Sequence, residues 1–210
     1  MLQSMGKDIR SFPLLDIDHS YDDASHIPRE IFEEASVEQN PKDVLLCNSL
    51  NVEQRSTYDE IMAAVCSKQG GLFFVDGPGG TGKTFLYREL LAKLRSQDKL
   101  AMATATSRVA AAIMPGGRMT HSYFKIPLTL QEGGCCSFTK QSGTAKLLQQ
   151  AALIIWDEAS MTKRQNVKAL DNSLRDIMGR SNLLFGGKIV VLGGISDRSS
   201  LLCGKDPELK

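Results

Sequence analysis

Eight residues, 77–84, read GPGGTGKT and match the pattern G-x-x-x-x-G-K-[S/T] in full. In such a loop Gly77, Gly79, Gly80 and Gly82 allow backbone N–H groups to approach phosphate oxygens without steric clash. Pro78 and Thr81 complete the loop. Lys83 is the residue type that reaches the β- and γ-phosphates of a nucleotide, and the Thr84 hydroxyl is the type that binds Mg²⁺. The motif therefore predicts a site for ATP and Mg²⁺.

The context of this loop supports the prediction. An apolar run at 72–75 precedes it, and residues 83–96 carry Leu86, Leu90, Leu91 and Leu94 at helical spacing. A strand before the loop and a helix after it are the arrangement that a phosphate-binding loop requires. A glycine-rich turn without a ligand is the alternative, and these flanking elements argue against it.

A second group of reactive residues is the acidic pair in LIIWDEAS, residues 153–160. Strand ends of a parallel sheet converge at one edge, so Asp157 is expected near the phosphate loop, where it would bind Mg²⁺. Glu158 is placed to act as a general base for an attacking water. A solvated loop start is the alternative for an acidic pair alone. Together with the phosphate loop, the pair favours nucleotide hydrolysis.

The elements that must position these residues alternate along the chain. Apolar runs predict strands at 72–75, 100–106, 153–156 and 189–192, and periodic segments predict helices within 49–67 and at 83–96, 107–114 and 162–178. Residues 127–143 are rich in Gly, Ser and Thr and are predicted to be a loop. This alternation predicts an α/β fold with a parallel sheet covered by helices.

Charge divides the chain into two parts. Residues 1–50 hold 4 Lys/Arg and 10 Asp/Glu, whereas residues 51–210 hold 21 and 14. A basic body suits an anionic partner such as nucleic acid, although a solvated mixed surface is the alternative. We expect three segments: an acidic lead-in at 1–48, extended or partly helical; a nucleotide-binding domain at 49–194; and a polar tail at 195–210.

The composition also bears on the compartment. The five cysteines form no C-x-x-C pair and show no zinc spacing, which suggests a reducing compartment. No apolar run resembles a signal peptide or a membrane span. We expect a soluble intracellular protein.

From about Leu50 to Gly194 the chain resembles the N-terminal motor domain of PIF-one-type DNA helicases, superfamily-one enzymes that move 5′ to 3′. The similarity is strongest to plant versions related to Helitron transposon helicases. It rests on LNVEQRSTYDEI, GPGGTGKTFLY, ATATSRVAAAIMPGGRMTHSYFKIP, LIIWDEASMT and ALDNSLRDIM. The resemblance implies a three-layer RecA-like fold and an ATP-dependent helicase in DNA repair, recombination or telomere maintenance. It also implies a nuclear location, with an organelle as the alternative.

The resemblance assigns further roles to residues. It would place Gln54 on the adenine base and would line a path for single-stranded DNA with Thr106, Ser107, His121, Ser122 and Phe124. An aromatic ring can stack on an unpaired base, and hydroxyls can bind phosphates. The residues by themselves favour a core role for Phe124 and a capping or core role for His121. Arg108, Arg118 and Lys125 add charge nearby, and Arg108 stands where the family usually has glycine.

Beyond Gly194 the sequence departs from the family. The family continues with Asp-Phe-Arg-Gln and a second motor domain, whereas this chain continues with Ile195, Ser196, Asp197 and Arg198. We therefore expect a monomeric half-motor that hydrolyses ATP slowly and binds single strands weakly. A module that binds ATP and DNA without turnover, or a transposon-derived relic, is the alternative. A nucleotide kinase would leave Gln54, the DNA-facing segment and Glu158 unexplained.

Overall fold

The computed structural model describes residues 27–38, 49–130 and 133–194, together with the backbone of 202–205. In this part of the chain six strands form one sheet in the order β3-β2-β4-β5-β1-β6. The strands are β1 (Gly71–Asp76), β2 (Ala101–Ala105), β3 (Arg118–Met119), β4 (Leu153–Asp157), β5 (Ile189–Gly194) and β6 (Leu202–Lys205). The first five are parallel, which confirms the predicted parallel sheet.

The sixth strand was not predicted. β6 lies within the segment expected to be a polar tail, and it pairs antiparallel with β1. It gives the sheet an antiparallel edge, as is common in otherwise parallel sheets. The rest of the predicted tail and residues 1–26 and 39–48 of the lead-in lie outside the described residues.

Helices flank the sheet. They are α1 (Arg29–Ala35), α2 (Val52–Ser67), α3 (Lys83–Arg95), α4 (Arg108–Ala112), α5 (Thr120–Tyr123), α6 (Gly143–Gln150) and α7 (Arg164–Met178). The predictions of α2, α3, α4 and α7 are confirmed. Asn51 caps α2, where its side chain accepts from the Gln54 N–H and the Gln54 side chain accepts from the Asn51 N–H. This reciprocal pair satisfies two backbone donors at the start of the helix.

Helix α6 was missed. Residues 127–143 were expected to be a loop, which includes the first residue of α6, and the rest of the helix at 144–150 was given no element. A helix this short offers barely two turns over which to recognise a period. Ser142 caps it by accepting from the Ala145 N–H, which is the local signal for its start.

The sheet separates two apolar cores, because alternate side chains along each strand point to opposite faces. Phe73, Ala103 and Ile155 pack with α2, α3 and α4 on one face. Leu72, Met102 and Ile154 pack with α6 and α7 on the other. The predicted three-layer arrangement is confirmed. Among the described residues, no helix is both long and apolar enough to cross a membrane.

Candidate functional site

The predicted phosphate loop connects the end of β1 to the start of α3. Gly80 and Gly82 have positive φ angles of 89° and 81°, which favour glycine. A Cβ on Gly82 would meet Nε2 of Gln54, so a side chain here would have to displace that amide. A Cβ on Gly79 or Gly80 would meet nothing within 4 Å. The loop therefore leaves open space where backbone groups can face an anion.

Hydrogen bonds within the loop hold its shape. The Thr81 hydroxyl donates to the carbonyl of Pro78 (2.9 Å), and the Gly77 N–H donates to the Asp76 carboxylate (3.0 Å). Nζ of Lys83 donates to the carbonyls of Gly77 and Pro78, the latter at 3.1 Å. The lysine charge is thus held over the loop, beside the space that a phosphate would take.

Gln54 packs against this loop from α2 and is nearly buried. Its Nε2 donates to the carbonyl of Thr81 (3.1 Å), and its Oε1 accepts from the Asn51 N–H (3.1 Å). Both ends of the amide therefore contact protein. The adenine contact implied by the resemblance stays a prediction, and the structure adds a second role, in which Gln54 connects α2 to the phosphate loop.

The acidic pair lies across the cavity from the loop. A cavity of about 500 Å³ brings residues from three elements together: Pro78–Phe85, Arg88, Val109, Ala110, Ile113, Asp157 and Glu158. Lys83, Thr84, Asp157 and Glu158 were all predicted to share one site, and the fold brings them together because β1 and β4 end at the same edge of the sheet. This arrangement fits a nucleotide phosphate with a bound cation.

Asp157 is only 7% exposed. Its Oδ1 accepts from the Glu158 N–H (2.9 Å), and a Cβ on Gly193 would lie 2.2 Å from the same oxygen. Burial raises the pKa of Asp157 above its ordinary value. The Glu158 charge adds to this rise, and the Glu158 N–H and the Lys83 charge oppose it. A buried carboxylate with little compensation is a favourable place for a divalent cation.

Glu158 adopts a left-handed conformation with φ of 55°. Its Oε2 accepts from the backbone N–H of Ser107 (3.0 Å), and its carbonyl accepts from the Thr106 hydroxyl (2.9 Å). That hydroxyl also accepts from Nε1 of Trp156 (3.0 Å). The end of β2 is therefore connected directly to the predicted general base.

The five residues predicted to line a DNA path occupy different environments. The hydroxyls of Thr106 and Ser107 both bond within the protein, that of Ser107 as the cap of α4. His121 pairs with Asn166 of α7, with 3.0 Å between their side-chain nitrogens. Ser122 is exposed. Contact of Thr106, Ser107, His121 and Ser122 with DNA stays a prediction.

Phe124 corrects the expectation from the resemblance. Its side chain is fully buried, with its ring centroid 5.8 Å from that of Tyr123 and 6.2 Å from that of Trp156. A base cannot stack on a ring that is enclosed on all sides. The residues themselves favoured the core role, and the structure agrees with that interpretation.

A second cavity, of about 490 Å³, adjoins the segment at 106–124 that the resemblance assigns to a DNA path. Its lining includes Arg108, Arg118, Ser122 and Lys125. We call it the basic cavity. Arg108, Arg118 and Lys125 were expected near the predicted DNA path. The sequence did not predict that Glu30 of α1 also lines this cavity.

Some lining residues of the nucleotide cavity were not predicted. Val109 of α4 is 75% exposed and Ile113, the residue that ends the helix, is also exposed, and both line the cavity beside the phosphate loop. Their spacing of four residues on a short helix is the signal that could have placed them together.

Comparison with known proteins supports the helicase resemblance of the sequence motifs. Residues 49–199 match the family described as PIF1-like helicase. The chain is 32% identical over 152 residues to the ATP-dependent DNA helicase Pif1 of Bdellovibrio bacteriovorus, covering 69% of this chain and 31% of that protein. It is 28% identical over 150 residues to the ATP-dependent DNA helicase PIF4 of Trypanosoma brucei brucei, covering 69% of this chain and 18% of that protein.

Solved structures agree in fold. Unliganded Pif1 from a Bacteroides species superposes with a TM-score of 0.54 at 28% identity, covering 70% of this chain and 31% of that one. The Bacteroides Pif1 complex with ADP-AlF3 and ssDNA gives 0.54 at 27% identity, covering 66% and 31%. The chain thus spans less than a third of the length of these relatives, and the plant or Helitron subtype stays a prediction. On the match of residues 49–199, this chain belongs to the PIF1-like helicase family.

Proposed function

We propose that this chain is the nucleotide-binding motor domain of an ATP-dependent DNA helicase, and that it binds ATP with Mg²⁺ and contacts single-stranded DNA. The observation that carries the proposal is the cavity in which the phosphate loop faces Asp157 and Glu158. Loop, cation ligands and base are the parts that phosphoryl transfer to water requires.

Each residue has a defined task in this proposal. Backbone N–H groups of the loop and Nζ of Lys83 bind the phosphates. The Thr84 hydroxyl and the Asp157 carboxylate would hold Mg²⁺, and the ion would supply positive charge that neutralises the phosphate oxygens. Among the described residues, no group of three His, Cys, Asp or Glu side chains is arranged for a metal. Phosphate oxygens and water would therefore supply the other ligands, as is usual for Mg²⁺.

Glu158 accepts a proton from the attacking water in this scheme. Thr106 and Ser107 link it to the segment that faces the basic cavity, where Arg108, Arg118 and Lys125 would bind DNA phosphates. The proposed partner is therefore single-stranded DNA, bound weakly and without sequence preference. Action on DNA would place the protein in the nucleus or in an organelle.

A second candidate function is binding of ATP and DNA without turnover. The observation that favours it is the hydrogen bond from the Ser107 N–H to Oε2 of Glu158, which already occupies one of the two carboxylate oxygens. The two functions predict the same binding and differ in hydrolysis.

One assay separates the two. We expect calorimetry to show ATP binding that depends on Mg²⁺, and phosphate release to be slow and only weakly stimulated by oligo-dT. Absence of nucleotide binding by the folded protein would overturn both functions. Binding with no phosphate release above that of the Glu158→Gln variant would establish the second.

A further inference from the structure

Helix α1 precedes the region that matches the family, which begins at residue 49, yet it is fastened to the domain core. Glu34 is 1% exposed. Its Oε1 accepts from Nη2 of Arg95 (2.9 Å), and its Oε2 accepts from the Tyr123 hydroxyl (2.6 Å). Burial and the Glu34 charge raise the pKa of Tyr123, so the phenol keeps its proton and donates. A buried, fully paired carboxylate fixes the position of the helix.

Through Arg95, Glu34 is also connected to the elements that carry the segment proposed to contact DNA. Arg95, at the end of α3, also donates to the carbonyls of Pro115 (2.9 Å) and Ala101 (3.1 Å). A Cβ on Gly116 would lie 2.8 Å from Cγ2 of Val37, just beyond α1. The turn before β3 and the chain after α1 are therefore in close contact.

Two further carboxylates of this helix act on the basic cavity: Glu30 lies in its lining, and Glu33 pairs with Arg118 of the lining. Oε2 of Glu33 pairs with Nη2 of Arg118 at 2.9 Å, and the Arg118 guanidinium lies 4.9 Å from the centroid of the Tyr123 ring. Glu30 lines the cavity itself, together with Arg108, Ser122 and Lys125. These glutamates offset the positive charge that DNA phosphates would need.

We propose that α1 is an autoinhibitory acidic helix, in which Glu30 and Glu33 oppose the entry of DNA phosphates into the basic cavity and Glu34 holds the helix in place. The inference rests on the proposed DNA binding and adds its regulation. A phosphate that binds Nη2 of Arg118 must compete with the Glu33 carboxylate, and it must approach the charge of Glu30 in the cavity lining.

The test uses the whole chain, with Glu30 and Glu33 neutralised and with Glu34, which holds α1 in place, unchanged. The Glu30→Gln/Glu33→Gln variant should bind labelled oligo-dT about 3- to 10-fold more tightly than the wild type at low salt, and the gain should shrink as salt rises. The matched control is Asp59→Asn/Glu60→Gln, which changes the net charge equally at exposed positions of α2. A thermal melt of each variant checks that α1 stays attached.

A double-mutant cycle locates the effect. Glu33→Gln should tighten binding in the wild type and have much less effect in the Arg118→Gln background, which lacks the direct contact between the two residues and leaves Glu33 paired with Arg29 of α1 only. Wild-type binding with no gain in the Glu30→Gln/Glu33→Gln variant, or with an equal gain in the α2 control, would overturn the inference alone. No oligo-dT binding by any variant would overturn the proposed DNA binding and the inference with it.

Discussion

The carboxylate of Glu158 accepts a hydrogen bond from the backbone N–H of Ser107, with 3.0 Å between Oε2 and the nitrogen. The two residues come from the ends of neighbouring parallel strands, where Ala105 of β2 is opposite Asp157 of β4. The predicted general base is thus held by the segment that leads to the residues proposed to contact DNA. Changes at either residue should affect hydrolysis more than nucleotide binding.

Glu158→Gln tests the role of the base. The amide keeps an oxygen that can accept from the Ser107 N–H, so the fold should be retained, but it cannot take a proton from water. We expect phosphate release to fall by about 10²- to 10⁴-fold, with the affinity for ATP and Mg²⁺ nearly unchanged. Single-turnover phosphate release beside calorimetry measures both quantities. Equal hydrolysis by the variant and the wild type would exclude Glu158 as the base.

Lys83→Ala tests the phosphate loop. Nζ of Lys83 lies over the loop, where it contacts the carbonyls of Gly77 and Pro78. Its removal should weaken ATP binding by about 1.5–3 kcal/mol, the value of a hydrogen bond to a charged group. The matched control is Lys93→Ala in the last turn of the same helix. If calorimetry gives the Lys83 variant wild-type affinity, the loop is not a nucleotide site.

Much of this site could be predicted because its chemistry lies in short contiguous motifs. The loop at 77–84 and the pair Asp157–Glu158 each lie at the carboxyl end of a strand. The order of strands and helices therefore places the two motifs at one edge of the sheet. The contact between Glu158 and Ser107 joins residues 51 positions apart and depends on strand register, which the sequence did not specify. The Glu34–Arg95 pair also joins residues 61 positions apart, and neither local segment predicts it.

The environment of Asp157 leads to a prediction about stability and pH. Because burial raises the pKa of this carboxyl in the folded protein, the folded state binds the proton more tightly than the unfolded state. The contribution of Asp157 to the free energy of unfolding is therefore greatest below its unfolded pKa of about 4, and it is lost as the pH rises through the raised folded pKa.

Asp157→Asn removes this dependence and keeps an oxygen that can accept from the Glu158 N–H. Without Mg²⁺ and nucleotide, the melting temperature of the variant relative to the wild type should increase as the pH rises from about 4 to about 7. The same variant should lose the part of ATP affinity that depends on Mg²⁺. Thermal melts across this pH range and calorimetry with and without Mg²⁺ give the two results. A melting-temperature difference that is constant with pH would contradict the assigned shift.

The last prediction separates packing from DNA contact in the segment around α5. Phe124 is fully buried against Trp156, whereas Lys125 is exposed and lines the basic cavity. Phe124→Ala should reduce the free energy of unfolding by about 3–5 kcal/mol, because it leaves a cavity in the core. Such a loss could unfold a domain whose total stability is about 5–15 kcal/mol, so Phe124→Leu provides a milder variant.

Phe124→Leu should lower the melting temperature and leave the affinity for oligo-dT unchanged at a temperature where the protein is folded. Lys125→Gln should weaken the binding of oligo-dT and leave the melting temperature unchanged, since it removes a charge from the basic cavity without disturbing the core. Fluorescence anisotropy at two salt concentrations, run beside thermal melts, compares the pair. Weaker DNA binding by folded Phe124→Leu would mean that the ring reaches DNA in a conformation other than this one. An unchanged affinity for Lys125→Gln at low salt would remove the basic cavity from the DNA path.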